Sequence, residues 1–303
     1  MVNFLLSEST ALKYLIPVAK ETKNPKIILY SSGKYNDPLS YDNIFKTFSI
    51  LKKNNLPYEI KTIVLQGTCV IVEDGCLQEV LPTNNKLYVI TYQTDFTSLY
   101  PRYKDRAENI FFPNKKFAEA YSCTSNKNIY TGSPKYDIDL SDIKRTQPSV
   151  TIFYPRNRDL DTDLLYSIID KIPKDYIIYV KSRLKDPIQI DSYRIIKSYD
   201  AYYPHTSMIL IKRSDFIINF DSTTIKEAFY LRCPVINFKC KKELKLDWFY
   251  NPKYPVLQAD KDTTFDKMLA FSKHNFDWDM VHKELLFEPG SSKRIADFIM
   301  SKE

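Results

Sequence analysis

The chain has 303 residues and a mass of 35.6 kDa, with 44% hydrophobic and 27% charged residues, a formal net charge of +7 and a pI near 8.9. That is the make-up of a folded protein in water, long enough for two domains of about 150 residues each. A mean hydropathy of -0.37 and the lack of any apolar run of roughly 18 residues exclude an ordinary membrane-spanning helix.

Further classes fall away on residue counts. Five glycines cannot supply glycine-rich phosphate loops, and neither G-x-G-x-x-G nor a Walker A stretch occurs. The five cysteines (69, 76, 123, 233 and 240) form no C-x-x-C pair, and their odd number argues against a disulfide framework. His205, His274 and His282 stand at no zinc-ligand spacing. The start, Met1-Val-Asn-Phe-Leu-Leu-Ser-Glu, lacks the basic stretch and long apolar core of a secretory signal, so a cytoplasmic location is expected. The positive charge suits an anionic partner: a phosphorylated ligand, the inner face of a membrane or a nucleic acid. Twenty-three Tyr and eighteen Phe could stack on bases, but no recognisable nucleic-acid module accompanies them, and nucleic acid is not the expected partner.

In chain order, strands and helices alternate. A short apolar run, Phe4 to Leu6, precedes a helix over Ala11 to Lys20. Lys26 to Tyr30 reads as a strand and Tyr41 to Asn54 as a helix with apolar residues at Ile44, Phe45, Phe48 and Leu51. Lys61 to Leu65, Cys69 to Val72, Tyr88 to Thr91 and Asn109 to Phe112 are strand candidates, and Asn114 to Tyr121 is helical. Asp137 to Ser149 is polar and aperiodic, so the linker is expected there, with domains over 1–146 and 147–303. The rhythm then restarts: strand Ser149 to Tyr154, helix Asp161 to Ile172, strand Tyr176 to Lys181, short strand Ile195 to Lys197, and Ser207 to Arg213, apolar on one side. Helices over Thr263 to Lys273 and Ser291 to Ser301 close the chain. Such alternation predicts an α/β fold with mainly parallel sheets.

The richest stretch is Asp215-Phe-Ile-Ile-Asn-Phe-Asp-Ser-Thr-Thr-Ile-Lys-Glu-Ala-Phe-Tyr-Leu-Arg-Cys-Pro-Val-Ile-Asn-Phe238. It reads as a buried strand, a polar turn, a short helix and a second buried strand. Asp221, Ser222, Thr223 and Thr224 are helix-start residues, and Glu227 follows Thr224 at capping-box spacing. A turn of this kind offers backbone N–H groups and a helix dipole to an anion. Ser222 and Thr223 add hydroxyl donors for phosphate oxygens, and Glu227 can accept from a ribose diol. The same residues also suit plain helix capping.

A strand, then Ser-Thr-x-x-x-Glu-Ala, then Pro and a strand, resembles the nucleotide-binding half of GT-B glycosyltransferases. In motif layout the chain resembles bacterial sialyl- and polysialyltransferases, capsule glycosyltransferases and CDP-glycerol glycerophosphotransferases. Val70-Ile-Val-Glu-Asp-Gly75 resembles the D/E-D/E-G motif, whose second acid is a general base; this implies Asp74 as base, with Asp95 as the runner-up. Thr131-Gly-Ser-Pro-Lys-Tyr-Asp137 resembles a T-G-x-P-x-x-D stretch that closes the first domain, which points to Gly132 and Ser133. Ile177 to Pro187 stands where those families carry K-x-H-P. This chain has no His there, and Arg183, beside Lys181, is the substitute that neutralises phosphate charge. Glu288-Pro-Gly-Ser-Ser-Lys-Arg-Ile295 resembles their D-G-x-A-x-x-R-I close.

The resemblance implies two Rossmann-like α/β domains facing across a cleft. The first would serve the acceptor and the second the donor. Lys181, Arg183, Ser222, Thr223 and Thr224 would hold donor phosphates and Glu227 the ribose. The implied reaction transfers a sugar or polyol phosphate from a nucleotide-activated donor, CMP- or CDP-linked in preference to UDP-linked, to a glycan or glycolipid hydroxyl. Neither a metal nor a separate cofactor is expected. The alternatives are a sugar-nucleotide 2-epimerase, which the scarcity of histidine disfavours, and a non-catalytic nucleotide-sugar-binding protein, which the absent His-Pro motif favours.

Overall fold

A computed structural model of the chain describes residues 1–31, 37–61, 67–73, 85–91, 100–120, 122–154, 161–181, 195–198, 203–239, 251–285 and 287–303. Its first stretch runs β1 (Val2–Leu6), α1 (Leu12–Glu21), β2 (Pro25–Leu29), α2 (Ile44–Lys53), β3 (Tyr58–Ile60), β4 (Thr68–Val72), β5 (Lys86–Ile90), α3 (Tyr100–Arg106), β6 (Asn109–Phe112), α4 (Lys115–Ala120) and β7 (Asn128–Tyr130). Residues 137–148 carry no helix or strand. Then come β8 (Ser149–Phe153), α5 (Thr162–Lys171), β9 (Ile177–Lys181), β10 (Ile195–Ser198), α6 (Thr206–Arg213), β11 (Phe216–Asn219), α7 (Ile225–Tyr230), β12 (Val235–Phe238), β13 (Val256–Ala259), α8 (Phe265–Ser272), α9 (Trp278–Leu285) and α10 (Ser291–Met300).

The alternating α/β pattern read from the sequence is present. Of the strand expected over Lys61 to Leu65, all but Lys61 lies outside the described residues; the strand Tyr58–Ile60 precedes it and was not read from the sequence. The elements α3, β7, β13 and α9 had no counterpart in the sequence reading.

The strands form two wholly parallel sheets, ordered β3-β2-β1-β4-β5-β6-β7 and β10-β9-β8-β11-β12-β13. Within each, the chain steps outward from the first strand to the third, then returns beside the first and continues the other way. This is the order of a doubly wound nucleotide-binding sheet, with the reversal at β1/β4 and again at β8/β11. Both sheets are Rossmann-like. Strands covered on both faces need apolar side chains on both, and β1, β4, β8, β11 and β12 are buried at every position. The polar members are bonded: Thr151 Oγ1 lies 2.7 Å from Ser214 Oγ, and Ser149 Oγ donates to Arg213 O at 2.6 Å.

The chain divides into two units, Met1–Ile138 with Lys283–Glu303, and Asp139–His282. In the first, the last helix lies on α1. Ile295, Ala296 and Ile299 of α10 are fully buried, and the Phe298 ring meets Tyr88 and Phe111 edge-on, with centroids 6.5 and 5.6 Å apart. The two isoleucines alone contribute about 3–6 kcal/mol of burial. In the second unit, Val150, Ile152, Ile178, Val180, Ile218 and Ile236 pack with Leu165 and Ile168 of α5 and Met268 of α8.

Candidate functional site

In a doubly wound sheet, ligands meet the carboxyl ends of the strands where the order reverses. In the second unit the segment leaving β11 at that point is Phe220-Asp-Ser-Thr-Thr224. Three side-chain amides from adjacent strands build its floor. Register aligns Asn219 with Asn237 and Asn237 with Gln258. Asn219 Nδ2 donates to Asn237 Oδ1 at 2.9 Å, and Asn237 Nδ2 donates to Gln258 Oε1 at 3.2 Å. Asn237 also takes hold of Asp221: its Oδ1 accepts the Asp221 N–H at 3.1 Å and its Nδ2 donates to Asp221 Oδ1 at 2.8 Å. Asp221 sits at φ 45°, a left-handed conformation that Asp tolerates when its short side chain is bonded locally. Asn219 Nδ2 donates to Ser222 O at 3.2 Å and closes the turn. Phe220, stacked on Phe238 at 5.8 Å, anchors it to the core.

The capping box expected at Thr224 and Glu227 does not form. Thr224 already has helical dihedrals (φ -60°, ψ -17°), and its side chain makes no capping bond. Its Oγ1 lies 3.0 Å from Ser222 Oγ, which also accepts the Thr224 N–H at 3.4 Å. Two three-residue turn bonds, Ile225 N–H to Ser222 O at 3.3 Å and Lys226 N–H to Thr223 O at 3.1 Å, lead into the helix, where Ala228 N–H donates to Thr224 O at 3.1 Å. Among the described residues the Ser222 and Thr223 N–H groups find no acceptor, and both side chains are half-buried. The turn therefore offers two N–H groups and three hydroxyls in one short arc, a set suited to phosphate oxygens.

Glu227, in the first turn of α7, is buried, 5% exposed. Its Oε1 lies 4.0 Å from Nδ1 of His205, the residue before α6 and itself 8% exposed. The sequence reading weighed His205 only as a zinc ligand. It stands 22 positions before Glu227, and no local pattern joins the two. Lys181 ends β9, half-buried, paired in register with Phe153 of β8. It reaches the same sheet end two strand spacings from β11, about 10 Å.

In the first unit, the reversal at β1/β4 brings together Ser7 and Glu8 after β1 and Glu73 after β4. Glu73 is buried, and its N–H donates to Ile90 O at 3.0 Å. Asp74, Asp95 and Arg183 lie outside the described residues. Gly132 and Ser133 follow β7. Gly132 has φ 83°, which favours glycine, and its N–H donates to Pro113 O at 3.0 Å. The two motifs at the ends of this unit prove to be one joint. Asp137 accepts the N–H groups of Gly290 (2.9 Å) and Ser292 (2.5 Å), capping α10. Arg294 donates through Nε and Nη2 to Thr131 O at 3.1 and 2.9 Å, and to the carbonyls of Pro289 and Glu288. These contacts account for Asp137 and Arg294 without a ligand.

Among the described residues, no group of three or more His, Cys, Asp or Glu could hold a metal, and no helix is long and apolar enough to cross a membrane.

No protein-family model and no curated protein matches the chain. Solved structures do. The wall teichoic acid polymerase TagF is similar with a TM-score of 0.63 at 13% identity, over 99% of this chain and 88% of that one. The glycotransferase of kitacinnamycin gives 0.60 at 8% identity, over 99% and 98%. The spinosyn forosaminyltransferase SpnP gives 0.57 at 12% identity, over 99% of both chains. The chain has a GT-B-like fold. At these identities the likeness concerns the fold, and the chemistry has to be argued from the GT-B-like framework's own side chains.

Proposed function

We propose that this chain is a GT-B-type transferase that passes a sugar or a polyol phosphate from a nucleotide-activated donor to a glycan hydroxyl, without a metal. The observation that carries this reading is the Asp221–Thr224 turn at the sheet reversal of the second unit, with its N–H groups and hydroxyls beside the buried carboxylate of Glu227. In this reading Ser222, Thr223 and Thr224 bind donor phosphates, and Lys181 and Arg183 offset their charge. Glu227 accepts hydrogen bonds from the ribose. Such preset donors stabilise the leaving nucleotide as charge develops on it. The first unit receives the acceptor, and Asp74, directly after Glu73, takes the proton from the attacking hydroxyl, with Asp95 as the other candidate. Gly132 and Ser133 complete the donor side.

The similar TagF structure was obtained with CDPG. That, with the motif layout, puts cytidine nucleotides first. A thermal-shift series with CMP, CDP, UDP, GDP and their sugar conjugates tests the donor site. A ligand at a hundredfold its Kd stabilises the native state by about 2.7 kcal/mol. Stabilisation by none of them at millimolar concentration ends the donor reading. Once a donor binds, Asp74→Asn should keep binding and lose transfer; unchanged turnover moves the base elsewhere. The empty place of the K-x-H-P histidine favours a second reading, a nucleotide-sugar-binding protein without turnover. Binding with no transfer to any glycan acceptor would support it.

A further inference from the structure

In the first unit α2 joins the parallel strands β2 and β3, so it runs against them and begins at their carboxyl ends. Its contact with the core is narrow. Thr47 and Leu51, one turn apart, are fully buried, and Thr47 Oγ1 lies 3.3 Å from Ser9 Oγ. The opposite side of such a helix faces water and is expected to be polar. Here it is aromatic. The sequence pattern put Phe45 among the apolar residues of the helix; the structure leaves it 73% exposed, and Tyr41, one turn earlier, 88% exposed. Phe48 follows Phe45 at the next neighbouring position and stacks on Tyr58 of β3, with centroids 5.0 Å apart. Ile60 stands two residues past Tyr58, on the same face of this edge strand, and both are exposed. Tyr41, Phe45, Tyr58 and Ile60 together show water roughly 400–500 Å² of side chain, the size of patch that is often functional on a soluble monomer.

The charges around the patch select its occupant. Lys46, Lys52 and Lys53 of α2 are exposed and make no ion pair among the described residues. Lys26 and Lys61 both pair with Glu59 of β3, so two cations meet one carboxylate. From Tyr41 to Lys61 the one other acid is Asp42. A second copy docked through this face would set like charges against each other, and the patch falls short of the about 800 Å² per partner that a stable interface buries. An anionic bilayer accommodates both features: rings enter the boundary of the acyl region while lysines reach the headgroups. We propose that the α2–β3 face is a docking surface for an anionic lipid bilayer, with Tyr41 and Phe45 inserted and Lys46, Lys52 and Lys53 on the headgroups. None of these side chains belongs to the donor site proposed above, so the two readings stand or fall separately.

Flotation of the full chain with vesicles of phosphatidylcholine, alone or mixed with phosphatidylglycerol, tests the docking surface. The wild type should bind the anionic vesicles roughly tenfold or more tighter than the neutral ones, and less tightly as salt rises. Phe45→Ser should weaken that binding by roughly tenfold or more, and Phe45→Trp should keep it, the new indole shifting its emission to the blue on anionic vesicles. The double variant Lys52→Glu with Lys53→Glu should lose roughly fivefold or more per lysine. The same change at Lys267 and Lys273 of the second unit should lose far less, which separates a built surface from the general pull of a net charge of +7. All these side chains are exposed apart from the partners named, so the variants should keep the wild-type urea midpoint. Absence of flotation, flotation indifferent to Phe45→Ser, or an equal loss from the Lys267 and Lys273 pair overturns the proposal. Sedimentation without lipid tests the other occupant: a concentration-dependent dimer that Phe45→Ser dissolves assigns the face to a second copy and overturns it as well.

Discussion

Asn237 engages Asp221 through both ends of its amide, accepting the Asp221 N–H at 3.1 Å and donating to Asp221 Oδ1 at 2.8 Å. Both residues are buried, Asn237 completely. Removing the amide takes one hydrogen bond each from the Asp221 N–H, Asp221 Oδ1, Asn219 Nδ2 and Gln258 Oε1, at about 0.5–1.5 kcal/mol per bond. Asn237→Ala should therefore cost about 3 kcal/mol or more, read as a lower urea midpoint, and weaken nucleotide binding with it. Asn237→Asp keeps the shape and sets two carboxylates against each other. Its loss should be large at neutral pH and shrink in mild acid, when the pair takes up a proton. A pH-independent loss would show that packing, not the polar bridge, holds the turn.

A second bridge closes the first unit. Asp137 caps α10 across 153 positions of sequence, accepting from Gly290 N–H. Asp137→Ala should lower the unit's stability by about 1–3 kcal/mol, through two lost charge-assisted bonds at a helix start. Asp137→Asn, with one amide oxygen left to accept, should lose about half as much. Differential scanning calorimetry gives both values. An effect under a few tenths of a kcal/mol in the Ala variant would mean that α10 is held by its apolar face alone.

The two parallel sheets were legible because their strands are short, apolar on both faces and separated by amphipathic helices. Phe216 to Phe220 and Val150 to Phe153 could hardly be anything else. What escaped has physical reasons. β7 is three residues long. α9 shows the core only Val281 and Leu285, one turn apart. α3 opens with Tyr100-Pro101, which reads as a break. The capping box failed because Thr224 takes helical dihedrals and its hydroxyl meets that of Ser222 instead of an N–H of the first turn. Nothing in α10's own pattern names α1 as its partner. The candidate turn was legible as residue types; its amide floor and His205 depend on strand register and helix packing that no local spacing encodes.

His282 supplies a pH handle. It belongs to α9, lies parallel to the Tyr230 ring at 6.2 Å, and its Nε2 is 2.9 Å from Phe229 O. Burial pushes its pKa below the usual 6.5, against an opposing pull from the Phe229 carbonyl. The folded state thus prefers the neutral ring, with Nε2–H donating. Its contribution is complete above the unfolded pKa of about 6.5 and is lost as pH falls through the lower folded value. Between pH 7 and 5 the urea midpoint of the wild type should fall more steeply than that of His282→Gln, whose amide can donate to the same carbonyl at any pH. Parallel pH curves for the two would remove His282 from the account of acid sensitivity.

The thiols give a readout that separates the two units. Burial raises the pKa of Cys69 and Cys123 to about 11 and that of Cys233 to about 12. All three are nearly or fully covered: Cys69 has Asn85 Nδ2 3.5 Å from its Sγ, and Cys233 faces the Pro234 carbonyl at 3.8 Å. At pH 8 a thiol of pKa about 11 is roughly 0.1% thiolate, and a covered one reacts only when the structure opens. A chromogenic disulfide reagent should therefore leave Cys69, Cys123 and Cys233 unmodified at short times in the native protein, so that at most two of the five cysteines react quickly, and should modify all five in denaturant. Fast reaction of three or more contradicts the burial described. The slow thiols carry further information. Cys69 and Cys123 belong to the first unit and Cys233 to the second. If the sheets open independently, the slow modification resolves into two phases with different urea dependence, assignable with Cys233→Ser. If they open together, a single phase takes all three.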